Sequence, residues 1–316
     1  MKTAVEFLEE LLTLSFGDDI KPLRGFFVIA KEMEKEQMMN IADNPRLLKT
    51  AVMVSADLVN KIHNENCLDT MAKMPDCFVD LTVTSPPYDG LRSYNGYSFL
   101  FEEIAKELYR VTKQGGVVVW VVNDSTKNGC ESLTSFKQAI YFVECGFNLH
   151  DTMIFKKQNP TPNKSNRYTP CYEFMFVLSK GKPKTFNPIL VDCIHAGKKA
   201  SRTVIHKNGE RVHQSLKGVY SEKKPKENIF EYVVGTLKER MWKHPAKFPE
   251  QLAQDHILSW TNEGDLVYDC FMGSGTTAKM SILNNRNYIG SEMSEEYCNI
   301  IEERIKIDKG LFENES

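Results

Sequence analysis

Two short runs hold residue types that could do chemistry. In Thr84-Ser85-Pro86-Pro87-Tyr88 the two prolines fix φ and hold the Ser85 and Pro86 carbonyls rigidly, while Tyr88 adds a flat π surface. A rigid pair of acceptors beside an aromatic plate is what would grip an exocyclic amine on a planar base. An isolated Pro-Pro is more simply a surface corner. The second run, Asp269-Cys270-Phe271-Met272-Gly273-Ser274-Gly275-Thr276-Thr277-Ala278, fits G-x-G-x-x-A, and an acid, Glu292, follows about 20 residues on. Its glycines let backbone approach a nucleoside closely, and a carboxylate accepts hydrogen bonds from both hydroxyls of a ribose. Taken singly, such a loop also occurs as a packing turn. It serves a nicotinamide dinucleotide or S-adenosylmethionine, and by itself it does not distinguish them. No Gly-Lys-Ser/Thr follows, so a P-loop is excluded.

The elements around these runs must place both at one edge. Val79-Asp80-Leu81-Thr82-Val83 predicts a strand that stops at Pro86-Pro87, because proline cannot continue a ladder. Leu266-Val267-Tyr268 predicts a strand running into the glycine loop, followed by a helix from Thr276 to Leu283 and a strand at Tyr288-Ile289 that leads to Glu292. Between the two runs, apolar positions 100, 101, 104, 105, 108 and 111 mark a helix over Phe99 to Val111. Gly115-Gly116 turns into Val117 to Val122, a strand buried on both faces by its lack of alternation. A helix from Thr134 to Cys145, a strand from Leu149 to Phe155, a strand at Phe174 to Leu178, a helix from Pro249 to Thr261 and a last helix from Glu295 to Lys306 complete the pattern. Residues 1–55 read as helices, with Leu8, Leu11 and Leu12 at helical spacing and a charged run from Lys31 to Met39. Strands alternating with helices predict an α/β fold, a doubly wound and mostly parallel sheet.

Composition bounds the class. The chain has 316 residues, 41% apolar and 26% charged, which excludes a mini-scaffold and wholesale disorder. Its longest apolar run is Val117 to Val122, and a membrane span needs about 20 residues. Glu6, Glu9 and Glu10 interrupt the stretch an export signal would need, so a cytoplasmic protein without a membrane partner is expected. Eight cysteines lie scattered with no C-x-x-C pair, and zinc patterns are absent, so no metal is expected. The net charge of −2 conceals a division: residues 156–247 hold 20 Lys and Arg against 7 Asp and Glu, and the remainder holds 20 against 35. An acidic body with one basic insert fits a lobe that faces a polyanion.

Together the two runs and the basic stretch between them resemble amino-methylating DNA methyltransferases, in the chain order of their beta group: catalytic motif, target-recognition region, cofactor loop. Three further runs agree, Asn66-Cys67-Leu68-Asp69, His244-Pro245-Ala246-Lys247-Phe248-Pro249-Glu250 and Tyr288-Ile289-Gly290-Ser291-Glu292. Asn66 stands where the family usually has Asp, Cys270 where Pro is common, and Lys247-Phe248 replaces a usual Gln-Lys. The resemblance covers residues 60–308. It implies the S-adenosylmethionine-dependent methyltransferase fold, divided into an N-terminal helical segment (1–56), a catalytic half (57–155), a target-recognition region (156–243), a cofactor-binding half (244–308) and a tail (309–316). It implies S-adenosylmethionine as cofactor, held by Asn66, Thr84, Asp269, Phe271, Gly273, Gly275, Thr276 and Glu292, with Glu292 on the ribose. It further implies base flipping, with Ser85 and the Pro86 carbonyl accepting the N–H bonds of the amine, Pro87 stiffening the turn and Tyr88 stacking on the base.

In this family Ser-Pro-Pro-Tyr most often accompanies cytosine N4, and Asp- or Asn-Pro-Pro-Tyr adenine N6. The expected activity is therefore site-specific cytosine-N4 methylation of double-stranded DNA, of a restriction-modification or phage-borne type. Cytosine C5 chemistry would need a Cys nucleophile, and the sole Pro-Cys, Pro170-Cys171, lies far along the chain from both motifs. Lys164, Arg167, Lys198, Lys199, Arg202 and Arg211 are the candidate phosphate contacts. A cognate restriction endonuclease acting separately and a homodimer are compatible with this reading. The competing readings are an adenine-N6 enzyme of the same fold, a non-catalytic DNA-binding or cofactor-sensing protein, and a nicotinamide-dependent oxidoreductase.

Overall fold

The structure is a computed structural model that describes residues 57–87, 99–164, 166–235 and 249–313. The helices expected in residues 1–55, Tyr88 and the 244–248 run lie outside them. In chain order come β1 (Lys61–His63), α1 (Cys67–Lys73), β2 (Val79–Thr84), α2 (Phe101–Val111) and β3 (Thr112–Val122). The two-residue strands β4 (Thr126–Lys127) and β5 (Cys130–Glu131), α3 (Thr134–Glu144), β6 (Asn148–Lys157) and β7 (Tyr172–Ser179) follow. Then come β8 (Leu190–Asp192), β9 (Lys199–Ile205), β10 (Arg211–Val219), β11 (Lys223–Pro225) and β12 (Ile229–Tyr232). The chain closes with α4 (Glu250–Trp260), β13 (Leu266–Asp269), α5 (Thr276–Leu283), β14 (Asn287–Ser291) and α6 (Glu295–Glu313).

Eight strands form one sheet in the order β1-β14-β13-β2-β3-β7-β6-β12. Every neighbouring pair is parallel except the two made by β7, which runs against both β3 and β6. The sheet is thus mostly parallel, as the alternation of elements predicts. Helices cover both faces: α2 contacts α1 and α3 in one group, and α5 contacts α4 and α6 in the other. Val118, Trp120 and Val122 of β3 pack with Leu108 of α2 and Phe142 of α3 in one core, while Val117, Val119 and Val121 are equally buried on the other side. That double coverage is why the strand reads as an unbroken apolar run. Its first residues, Thr112 to Gly116, escape the hydrophobic pattern because they include Lys113 and Gln114. Lys113 is buried because its ammonium meets both oxygens of Asp80 at 2.8 Å. Asp80 also accepts the Leu266 N–H at 2.9 Å, tying β2, β3 and β13 at their amino ends.

Three strands within the basic stretch, β6 at its start, β7 and β12, belong to this sheet. The compact unit apart from it is Asn187–Asn228. By itself that unit is two antiparallel pairs, β9 with β10 and β8 with β11, with Arg202 opposite Gln214 and Lys224 opposite Val191. The residues of β9 alternate between half-buried and exposed or are fully exposed, so no apolar period announces it. The last helix continues to Glu313, beyond the end expected at Lys306.

Candidate functional site

The strands β1, β14, β13 and β2 end side by side, and the expected cofactor residues follow their carboxyl ends. β13 ends on Asp269, which is 1% exposed. Its Oδ1 accepts from the Thr84 hydroxyl at 2.6 Å and the Phe271 N–H at 3.0 Å, and its Oδ2 accepts from the Thr277 hydroxyl at 2.7 Å. Burial pushes the carboxyl up to about 6 against the pull of those three donors. Asp269 and Thr84 thereby join β2 to the glycine loop across 185 residues of chain.

The loop then turns through Gly273 at φ +55° and Gly275 at φ +82°. A Cβ on Gly275 would stand 2.8 Å from Cγ2 of Ile301, so both its backbone and its surroundings call for glycine. Glu292, half-buried just past β14, accepts the Gly273 N–H on Oε2 at 2.8 Å and the Ser294 N–H on Oε1 at 2.9 Å. Burial raises its carboxyl above the usual range. Each carboxylate oxygen has acceptor capacity beyond one bond, which leaves room for two hydroxyls. Phe271 lies edge-on to Phe99 at 5.8 Å and Trp120 at 6.2 Å, walling the apolar side.

Other expected residues are engaged within the protein. Asn66 caps α1, its Oδ1 accepting the Leu68 N–H at 2.9 Å. The Thr276 hydroxyl, buried, accepts from Arg304 at 3.3 Å. Ser85 and Pro87 are half-buried and Pro86 is buried, directly after Thr84. The candidate DNA contacts fall on different bodies: Lys164 and Arg167 on the sheet unit, and Lys198, Lys199, Arg202 and Arg211 on the smaller one, all exposed. Arg167 pairs with Glu131 at 3.2 Å and donates to the Gly129 carbonyl, and Arg202 donates to Gln214 at 3.1 and 3.2 Å. Burial raises the thiol of Cys67 to about 12 and that of Cys270 well above its ordinary value, so neither is a nucleophile.

Sequence reasoning missed the cations behind the loop. Arg304 of α6 is 3% exposed and donates to the Ser274 carbonyl at 2.7 Å; its other end meets Glu250, which also takes Lys279 at 3.0 Å. Its one trace in the sequence is a place three residues after Ile301 on a helix that packs inward.

The sequence profile described as DNA methylase, for N6 and N4 enzymes, matches residues 79–303. The chain belongs to this DNA methylase family. The methylase is 56% identical over 239 residues to the orphan methyltransferase M.BamHII of Bacillus amyloliquefaciens, a match spanning 73% of this chain and 90% of that protein. Among solved structures it resembles the PvuII DNA methyltransferase (cytosine-N4-specific) with a TM-score of 0.57 at 21% identity, over 76% of this chain and 84% of that one. It resembles the M1.HpyAVI–SAM complex at 0.54 and 23%, over 77% and 98%. These likenesses establish the methyltransferase fold. DNA methylases draw the methyl group from S-adenosylmethionine, which is therefore the cofactor. The residues present fit it: a half-buried carboxylate for ribose hydroxyls, a loop that admits close backbone approach and an aromatic wall. Among the described residues no helix is long and apolar enough to cross a membrane.

Proposed function

We propose that this methylase modifies the exocyclic N4 amine of a cytosine flipped out of duplex DNA, acting in the cytoplasm at a specific site. The observation that carries the choice of base is Ser85 as the first residue of the Ser85-Pro86-Pro87 turn, set at the carboxyl end of β2 beside the glycine loop.

An exocyclic amine on an aromatic ring is a poor nucleophile because its lone pair is delocalised. The Ser85 side chain and the Pro86 carbonyl accept its two N–H bonds, draw the nitrogen toward tetrahedral geometry and stabilise the positive charge that develops there. Pro86 and Pro87 keep those acceptors in place, so little freedom is lost on binding. Bound at the loop, S-adenosylmethionine supplies an electrophilic sulfonium methyl group. Glu292 takes the ribose hydroxyls, Phe271 walls the apolar side, and the backbone of Gly273 and Gly275 admits close approach. Asp269, Thr84 and Thr276 hold the loop's shape, and Asn66 fixes the start of α1. Tyr88 stacks on the flipped base. Lys164 and the exposed cations of the smaller unit meet phosphates, while Arg167 also braces the β4–β5 turn through Glu131 and Gly129.

The test is mass analysis of nucleosides from DNA incubated with the protein and S-adenosylmethionine. N4-methylcytosine is expected. N6-methyladenine would overturn the choice of base, and no methylated nucleoside would overturn the catalytic reading.

A further inference from the structure

An arginine is buried against the backbone of the glycine loop. Arg304 Nη1 donates to the Ser274 carbonyl at 2.7 Å and lies 3.4 Å from the Ser274 hydroxyl and 3.3 Å from that of Thr276. Nη2 meets Glu250 of α4, and Lys279 of α5 reaches the same carboxylate oxygen at 3.0 Å. One turn earlier on the same helix, Ile301 fills the space a side chain at Gly275 would need. One guanidinium thus links three elements, α4, α6 and the loop that opens α5. Arg304 lies one residue beyond the span matched by the family profile.

Stability gives a weak reason for burying this charge. The Arg304 side chain is 4% exposed and its Nε has no partner among the described residues. Replacing a buried ion pair by apolar groups of similar volume is commonly neutral or stabilising, and removing one partner is costly chiefly where the other charge is left buried and unpaired, whereas Glu250 is 34% exposed and keeps Lys279. What the fork supplies and an apolar residue cannot is direction: in one fixed plane Nη1 donates to the Ser274 carbonyl while Nη2 is anchored on Glu250, which holds that carbonyl turned back into the protein. Ser274 sits between the two glycines, where the backbone has the greatest freedom to leave the conformation it adopts here.

We propose that Arg304 is a positioning residue for the methyl donor, holding the Gly273–Gly275 backbone from behind in the conformation that receives S-adenosylmethionine, with Glu250 and Lys279 as its anchor. The proposal rests on the reading that this loop and Glu292 bind the cofactor. Loosening the loop so that one molecule in about ten holds the competent shape would weaken apparent affinity about tenfold without touching the reacting groups.

The experiment compares the full-length protein with Arg304→Met, Arg304→Lys and Glu292→Ala, by calorimetric titration with S-adenosylmethionine, thermal unfolding, and turnover at saturating cofactor. Arg304→Met is expected to bind about tenfold more weakly, unfold within a few degrees of the parent, and keep its kcat once saturated. Arg304→Lys keeps the charge toward Glu250 but cannot span both partners, and its affinity should lie between the two. Parent-like affinity in Arg304→Met overturns the proposal, as does a fall in affinity that only tracks a fall in unfolding temperature. Should Arg304→Met fail to fold, Arg304→Lys decides by the same two criteria. Glu292→Ala separates the premises. If it leaves affinity unchanged, the cofactor-site reading fails; if it weakens binding while both Arg304 variants do not, only the role of Arg304 fails.

Discussion

Asp269→Asn tests whether the buried carboxylate holds the loop or holds the cofactor. The substitution mimics the protonated acid. Oδ1 goes on accepting from Thr84 and Phe271, while the new amide faces the Thr277 hydroxyl, which can turn to accept it and give its proton to the Val83 carbonyl 3.4 Å away. Burial raises the carboxyl from 3.8 to about 6. A carboxyl raised on folding contributes stability that is full below its unfolded pKa and is lost as pH climbs through the folded one. At about 1.4 kcal/mol per pH unit the loss totals about 3 kcal/mol, of which about half falls between pH 5 and 8. The asparagine variant has no such loss. Its unfolding temperature should therefore gain on the parent's by about 3–6 °C between pH 5 and pH 8. Because both oxygens are already occupied inside the protein, its affinity for S-adenosylmethionine should stay within about threefold of the parent's. Parallel pH profiles would refute the account of the carboxyl, and a large loss of affinity in a well-folded variant would place the carboxylate on the cofactor.

Three further expectations concern other parts of the site. Gly275→Ala should lower both stability and cofactor affinity, with about 1–2 kcal/mol from the left-handed backbone and more from the contact at 2.8 Å; made in an Ile301→Ala background, which is itself less stable, it should cost only the backbone's share in thermal unfolding. Tyr88→Ala should lower turnover far more than S-adenosylmethionine affinity, and equal losses would remove the ring from the base. Replacing Lys198, Lys199 and Arg202 together by Ala should make the salt dependence of DNA binding shallower by about one unit per lost phosphate contact, with cofactor affinity unchanged; an unaltered slope removes this cluster from the interface.

The sheet's centre was legible because burial on both faces leaves a mark on composition, as in Val117 to Val122, and because Pro86-Pro87 must end a ladder. Strand direction leaves no local mark. Phe174 to Leu178 reads as a strand, yet its running against β3 and β6 follows from the return of the chain through residues 158–171, not from its residues. The same strand lies in a window whose charge is dominated by flanking lysines, which conceals its place in the central sheet. In the smaller unit the strands are short or exposed, so neither period nor burial marks them. At the site, the types Asp269, Gly275 and Glu292 were readable from their order, whereas their partners were not. Whether Thr84 or Thr276 faces a ligand or a neighbouring side chain depends on contacts made across 185 and 28 residues.

The pairing of β2 with β13 also sets a timetable for synthesis. Asp80 waits for Leu266, 186 residues later, before β13 is in place beside β2. At about 5–20 residues per second on the ribosome, β2 stays without that neighbour for about 10–40 s. Throughout that interval the nascent chain holds a strand as apolar as Val79, Leu81 and Val83 with one edge open, a template for wrong pairing. The flanking Asp80 places a charge on that strand, and the same carboxylate later receives the Leu266 N–H, so one residue serves first as a guard against aggregation and then as the latch for the arriving strand.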